Sequence, residues 1–168
     1  MKRIILSICV ITVSMITCLA QNKKAERDSI ARVKFDIAAA AIEAKDFVII
    51  VDNYQKEDGS FETNTDNANF ISYEKEFVYI QGEIIADNTN TNKLNVTKYD
   101  KVIDKKGNIR LTMQVTGFFI NGKIEIYLKK GGNNTDVFIT PNSGTNKRFS
   151  GFLTPRAGSK YFRRTGEI

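Results

Sequence analysis

The stretch NIRLTMQVTGFFINGKIEIYLKK, residues 108–130, decides the fold, because apolar and polar residues alternate along both of its halves. Asn121-Gly122 in its middle is the dipeptide most typical of a two-residue type I′ hairpin turn. This turn predicts that Ile120 pairs with Lys123, Phe119 with Ile124, Gly117 with Ile126, and Val115 with Leu128. In that register one face carries the apolar side chains of Ile109, Leu111, Met113, Val115, Phe119, Ile124, Ile126 and Leu128. We therefore predict an antiparallel hairpin with one buried face.

Two aromatic residues depart from this alternation. The predicted register places Phe118 on the polar face, diagonal to Tyr127. An aromatic pair on a polar face is either covered by another layer or belongs to a binding patch. Phe118 and Tyr127 are therefore candidate ligand-binding residues.

Further strands are predicted on both sides of the hairpin. The segments with strand-like composition are DFVIIVDNY (46–54), FISYEKEFVYIQGEII (70–85, two strands or one bent strand), NVTKYDKVI (95–103), TDVFITP (135–141) and KRFSGFLTP (147–155). The polar stretches 55–69 and 87–93 read as loops.

A helix is predicted ahead of the strands, from Gln21 to Lys45. Its apolar stripe consists of Ile30, Val33, Ile37, Ala41 and Ala44, broadened by Phe35, Ala38 and Ile42. Such a helix is expected to lie against a sheet. The predicted fold class is α+β, with this helix packed on a strongly curved antiparallel meander sheet of about seven or eight strands, resembling a half-barrel.

The first 20 residues have the layout of a cleaved secretory signal peptide. Lys2 and Arg3 are followed by an apolar run and by Cys18-Leu19-Ala20, a small-residue cleavage site. We therefore predict a signal peptide at 1–20, a single domain at 21–168, and a periplasmic or secreted location. A lipoprotein anchored through Cys18 is disfavoured, because Thr17 occupies a position that such signals fill with a smaller residue.

Composition excludes several kinds of chemistry. The chain has no histidine, and both cysteines lie within the predicted signal peptide. The expected mature protein therefore lacks a histidine general base, a thiol nucleophile and the usual zinc ligands. We predict no cofactor, no metal site and no membrane-spanning segment in the mature chain. The whole chain carries a formal charge of +6, far below the charge density of nucleic-acid-binding proteins.

The remaining catalytic candidates are carboxylates. Glu74 and Glu76 are predicted to share a strand face, and paired carboxylates serve glycosidases, but this spacing is also that of a solvated strand face. The asparagine- and aspartate-rich runs TNTDNAN and DNTNTN lack the glycine and glutamate of a calcium-binding EF-hand loop and read as solvated loops.

The C-terminal stretch KRFSGFLTPRAGSKYFRR, residues 147–164, interleaves basic and aromatic residues and contains no acid. It suggests a cationic strip that binds an anion or glycan, with the candidate residues Arg148, Phe152, Arg156, Lys160, Tyr161, Arg163 and Arg164. The alternative is structural, since alternation directs Phe149 and Leu153 to the core and leaves the charges on the wet face.

Two short motifs resemble the domain-of-unknown-function family 4251, small exported proteins of Bacteroidetes-type bacteria. They are KFDIAAAAIEAKDFVIIVD (34–52), in which an alanine-rich helix runs into a strand, and RFSGFLTP (148–155), followed by the closing SKYFRRTGEI (159–168). The resemblance implies an exported α+β domain with no established activity and no catalytic residues to carry over. Residues 52–70 depart from the family's pattern.

These observations favour an exported, non-enzymatic domain whose role is either binding of an envelope or extracellular partner or an envelope-associated structural one. A second hypothesis is a carrier of a small apolar or amphipathic ligand inside the curved sheet, lined by Met113, Phe119, Phe149 and Tyr79. A third is glycan or anion binding by the basic C-terminal stretch. An enzyme that uses carboxylates alone stays a weaker alternative.

Overall fold

The computed structural model describes the backbone of residues 2–85, 87–118 and 120–168, and the side chains of residues 23–85, 89–118 and 120–168. These residues form one long helix, one short 3-10 helix (Glu83–Ile85) and nine strands. The elements are α1 (Lys2–Glu43), β1 (Asp46–Gln55), β2 (Phe61–Thr63), β3 (Phe70–Glu74), β4 (Phe77–Gly82), β5 (Asp87–Ile103), β6 (Ile109–Thr116), β7 (Asn121–Leu128), β8 (Asn134–Pro141) and β9 (Lys147–Pro155).

The sheet is antiparallel and closes on itself. Neighbouring strands follow chain order from β3 to β9, and β1 joins the two ends by pairing with both β3 and β9. The prediction of an α+β fold with a curved sheet is confirmed, but the closure is complete, whereas a half-barrel was expected. Eight strands form the barrel, and β2 is an additional strand that pairs with the end of β1.

Two polar stretches that were predicted as loops contain strands. Residues 61–63 form β2, and β5 begins at Asp87 and so includes residues 87–93. Both predictions were wrong for the same reason. Pairing of backbone groups with a neighbouring strand stabilises these segments, although their side chains lack the apolar alternation on which the prediction relied.

The hairpin of β6 and β7 keeps its predicted faces but not its predicted register. Leu128 pairs with Ile109 instead of Val115, a shift of six residues along β6. Because six is an even number, every side chain stays on its predicted face, and the alternation could not reveal the error. The connection is residues 117–120, so Asn121-Gly122 begins β7 and does not form the turn.

The two glycines of this hairpin serve close packing. A Cβ atom on Gly122 would lie 2.3 Å from the carbonyl oxygen of Thr140, and one on Gly117 would lie 2.3 Å from a methyl group of Leu94. The Asn121 side chain accepts a hydrogen bond from the Gly117 amide across the connection. The close approach of β8 therefore explains the glycine of this dipeptide. A sequence pattern does not distinguish this packing requirement from a hairpin turn.

The helix caps one end of the barrel with its last turns. Ala38, Ala41 and Ile42 are buried, and the carbonyl of Ile42 accepts a hydrogen bond from the Tyr99 hydroxyl. The predicted contact stripe was largely wrong, since Ile30, Val33 and Ile37 are each about half exposed. The end of a closed barrel has room only for the few side chains of the last helical turns. An open sheet would have offered a surface long enough to cover the whole apolar stripe.

The barrel interior is filled by apolar side chains from all eight of its strands. The inward residues of β6 and β7 predicted from alternation are buried, together with Phe47, Ile49, Ile71, Phe149 and Leu153. Phe119, which was predicted to join them, lies outside the described residues. In the described part of the chain, no helix is both long enough and apolar enough to cross a membrane.

Candidate functional site

An open groove of about 750 Å³ crosses the outer face of strands β5 to β8. We call it the outer groove. Its lining side chains include Val102, Asn108, Arg110, Glu125, Tyr127, Lys129, Asp136, Phe138 and Thr140. The groove lies on the barrel wall, so rigid strands hold most of the side chains that line it.

Two adjacent rows of outward side chains cross the groove. In one row Tyr127 of β7 lies between Arg110 of β6 and Asp136 of β8. In the next row Phe138 lies between Glu125 of β7 and Arg148 of β9. The rings of Tyr127 and Phe138 meet edge to face, with centroids 5.7 Å apart. Each ring therefore stands next to charged groups on both sides.

The carboxylates beside the two rings are balanced by lysines. Glu125 pairs with Lys123 at 2.9 Å, and Asp136 pairs with Lys129 at 2.6 Å. At the end of the groove, hydrogen bonds from the side chain and the backbone of Asn108 hold the pKa of Asp104 below its ordinary value. Asp104 is thus ionised at neutral pH and serves the β5–β6 turn.

Arg148, a residue of the predicted cationic strip, borders this surface. Its guanidinium lies 5.1 Å from the ring centroid of Phe138 and 5.4 Å from that of Phe61 on β2. Phe152, also in the predicted strip, is exposed farther along β9, opposite Asn134 and Ile50. These two residues therefore lie on the barrel wall, apart from the C-terminal tail.

The rest of the predicted strip belongs to a segment, residues 156–168, that we call the C-terminal segment. It crosses the outer surface over β3, β4 and β5, where its backbone bonds with Asn67, Thr91 and Lys93. Tyr161 packs on Phe70, with ring centroids 4.7 Å apart. The segment thereby covers an outer apolar cluster that includes Val48, Phe70 and Tyr79.

Arg156 and Arg163 are occupied by carboxylates. Arg156 donates to Asp46 at 2.6 Å, and Arg163 donates to both oxygens of Glu74 at 3.2 Å. Arg163 also pairs with Glu167 and lies over the ring of Tyr79. Burial, and then the charge of Glu74, raise the pKa of Tyr161.

The two remaining cations of the strip, Lys160 and Arg164, form no ion pair with the residues that the structure describes, and Nη1 of Arg164 is buried without a hydrogen-bond partner. Lys160 is exposed, and the Arg164 backbone amide donates to the buried side chain of Gln81. The structure therefore divides the predicted strip into Arg148 and Phe152 on the barrel wall, and a C-terminal segment that serves to cover the barrel.

Phe118 and Tyr127, predicted to form an exposed pair, are apart. Phe118 is exposed in the connection after β6, whereas Tyr127 lies near the other end of β7, opposite Arg110. This separation follows directly from the register shift. Tyr127 has Phe138 as its aromatic neighbour.

Most groove residues were missed by sequence reasoning, and four of them form or flank the ring pair: Arg110, Glu125, Asp136 and Phe138. A signal was available for Phe138, because alternation in TDVFITP directs Val137 and Ile139 inward and leaves Phe138 outside. The assembly of the four could not be seen, since it depends on how β6, β7 and β8 pair.

The other predicted sites do not assemble. Glu74 is on β3, but Glu76 follows Lys75 in the tight turn to β4, so the two do not share a strand face. Among the described residues, no group of three or more acidic, histidine or cysteine side chains is placed to hold a metal ion.

The residues proposed to line a ligand cavity lie on different sides of the barrel wall. Met113 and Phe149 are in the filled interior, whereas Tyr79 belongs to the outer cluster beneath the C-terminal segment. The fourth, Phe119, lies outside the described residues. The outer groove is therefore the site that the described geometry favours.

Comparison with known proteins yields a likeness of structure. No protein-family model and no curated protein matches the sequence. The fold is similar to the crystal structure of a DUF4251 family protein from Bacteroides eggerthii, with a TM-score of 0.65 and 25% sequence identity. The similarity covers 80% of this chain and 99% of that chain. The resemblance to the DUF4251 family that the sequence motifs predicted is therefore confirmed in the fold.

Proposed function

We propose that this protein is an exported, non-catalytic domain that binds carbohydrate in the outer groove. The observation that carries the proposal is the Tyr127–Phe138 ring pair, which stands in the groove between charged side chains. A sugar ring has an apolar C–H face and a hydroxyl-bearing edge. An aromatic ring suits the former, and carboxylate, guanidinium and amide groups suit the latter.

The position of these side chains supports binding. Glu125, Tyr127, Asp136 and Phe138 all stand on β7 and β8, which pair over seven of the eight residues of each strand. Side chains held on paired strands lose less freedom when a ligand binds than side chains on a loop. The groove also has the volume of an ordinary small-ligand site.

The absence of catalysis and the export are argued from sequence. The chain has no histidine, and the signal-like residues 1–20 contain both cysteines. The groove carboxylates Glu125 and Asp136 are paired with lysines, an arrangement that suits hydrogen bonding to hydroxyls better than proton transfer.

One experiment tests both parts of the proposal. The protein is recovered from the periplasm, its N-terminus is sequenced, and a panel of oligosaccharides is titrated by NMR. We expect the chain to begin at Gln21 and the amide signals of β7 and β8 to shift. Tyr127→Ala should weaken binding about fivefold or more, since truncation of an aromatic side chain at the centre of a binding site costs on the order of 1 kcal/mol or more.

The matched control is Phe152→Ala, which removes an exposed aromatic side chain of β9 outside the groove. It should leave the affinity unchanged. Equal losses in the two variants, or no shift with any oligosaccharide, would show that the ring pair is not a sugar site.

A further inference from the structure

We infer that the ligand of the outer groove is an acidic oligosaccharide, whose carboxylates are held by Arg110 and Arg148. The inference rests on the proposed function and names the class of glycan. Its basis is the distribution of unpaired positive charge on this face of the barrel.

Arg110 and Arg148 are the two arginines that stand on the barrel strands. Both are exposed, and neither forms an ion pair with any residue that the structure describes. Arg156 and Arg163, by contrast, are each paired with carboxylates. Arg164 of the C-terminal segment also lacks an ion pair among the described residues, but it is partly buried. A guanidinium without a partner retains donors that match the two oxygens of a carboxylate.

The side chain of Arg148 is already positioned. Its guanidinium lies near the rings of Phe61 and Phe138, which limits the conformations it can adopt. Less conformational entropy is then lost when it binds an anion.

The negative charges between the two arginines do not oppose this assignment. Glu125 and Asp136 are the carboxylates beside the ring pair, and each is balanced by a lysine. Arg110 and Arg148 are therefore the uncompensated charges in the two rows that contain Tyr127 and Phe138.

The spacing of the arginines sets the length of the ligand. Arg110 is on β6 and Arg148 on β9, three strand spacings and one row apart. That amounts to about 15 Å, given roughly 4.8 Å between neighbouring strands and 3.3 Å per residue along a strand. This distance exceeds one sugar ring, so the two arginines would bind carboxylates on different rings of one chain, with Tyr127 and Phe138 between them.

The test uses two ligands with the same sugar chain, a tetramer of galacturonic acid and its methyl ester, in which each carboxylate is replaced by an uncharged ester. Both are titrated into the wild-type protein by calorimetry at low and at physiological salt. We expect the acid to bind at least about tenfold more tightly at low salt, with a smaller ratio at physiological salt, because screening weakens exposed ion pairs.

Variants assign the preference to residues. Arg110→Gln and Arg148→Gln should each reduce the affinity for the acid about fivefold and leave the ester unaffected, as expected for one exposed ion pair. Tyr127→Ala should weaken both ligands by the same factor. The control Arg27→Gln removes the same charge from the exposed surface of α1 and should change neither affinity.

The two proposals fail in different ways. If the wild-type protein binds the acid and the ester equally, the acidic class is wrong and carbohydrate binding stands. If Arg27→Gln reduces the preference as much as Arg148→Gln, net charge explains the preference and the assignment to the groove is wrong. If neither tetramer binds, the acidic class is refuted, and carbohydrate binding is decided by the oligosaccharide panel.

Discussion

The side chain of Gln81 holds the C-terminal segment to the barrel, and replacing it tests this account of the fold. Gln81 is fully buried on the outer face of β4. It donates to the carbonyl oxygens of Ala68 and Phe162, each at 2.9 Å. It accepts hydrogen bonds from the Thr91 hydroxyl at 2.6 Å and from the Arg164 amide at 2.8 Å. Two of the four partners belong to the C-terminal segment.

Gln81→Leu keeps the size of the side chain and removes all four hydrogen bonds. Each bond contributes on the order of 1 kcal/mol net, and a buried group left without a partner costs about 1–3 kcal/mol. We therefore expect the free energy of unfolding to fall by about 4 kcal/mol. The loss is smaller if the C-terminal segment detaches, because water then reaches the released groups.

Urea denaturation measures the loss, and amide hydrogen exchange shows where it arises. The amides of Arg164 and Ile168, which donate to Gln81 and to the Thr91 carbonyl, should exchange faster in the variant. The control is Gln114→Leu, at an exposed outward position of β6. If both variants lower the free energy of unfolding by the same small amount, and hydrogen-exchange protection of the C-terminal segment is unchanged, then Gln81 does not hold the segment to the barrel.

Two further predictions concern the backbone and the pH. Gly82→Ala should lower the free energy of unfolding by about 3 kcal/mol or more, because the residue has φ +102° and its Cβ would lie 1.8 Å from the Asn69 side chain. The control is Gly144→Ala, at a residue with φ +100° and no nearby atoms. It should lower the free energy of unfolding clearly less in the same urea titration. Burial raises the pKa of Tyr99, so its contribution to stability should be complete below pH 10 and be lost as the pH rises above it. Tyr99→Phe removes the hydrogen bond to Ile42, so its free energy of unfolding at pH 7 should be about 1 kcal/mol lower than that of the wild type. Above pH 10 the free energy of unfolding should fall less steeply in the variant than in the wild type. Identical slopes for the two proteins would contradict the assignment.

The strands of the second half of the chain were predictable, because their side chains alternate. Strands β6 to β9 were expected near their observed bounds, and residues such as Phe149 and Leu153 were expected inside. The polar strand β2 and the first part of β5 were not predictable in this way. Their stability comes from backbone pairing with neighbours, which leaves no trace in local composition.

The candidate site was less predictable than the fold. Of the residues singled out in the sequence, Tyr127 and Arg148 border the outer groove, whereas Arg156 and Arg163 bind carboxylates of the barrel. Composition shows how many cations a segment has, but it does not show which of them find a carboxylate. That depends on residues such as Glu74, about 90 positions away in the chain.

The sequence by itself determined which side of each alternating strand is apolar and which catalytic side chains the chain lacks, because both depend on residue type and local order. The tertiary structure alone decided the partner of each strand, the closure of the barrel and the register between β6 and β7. A shift by an even number of residues leaves every side chain on the same face, so local alternation is compatible with several registers. Close contacts between distant residues, such as Gly122 against Thr140, select one of them.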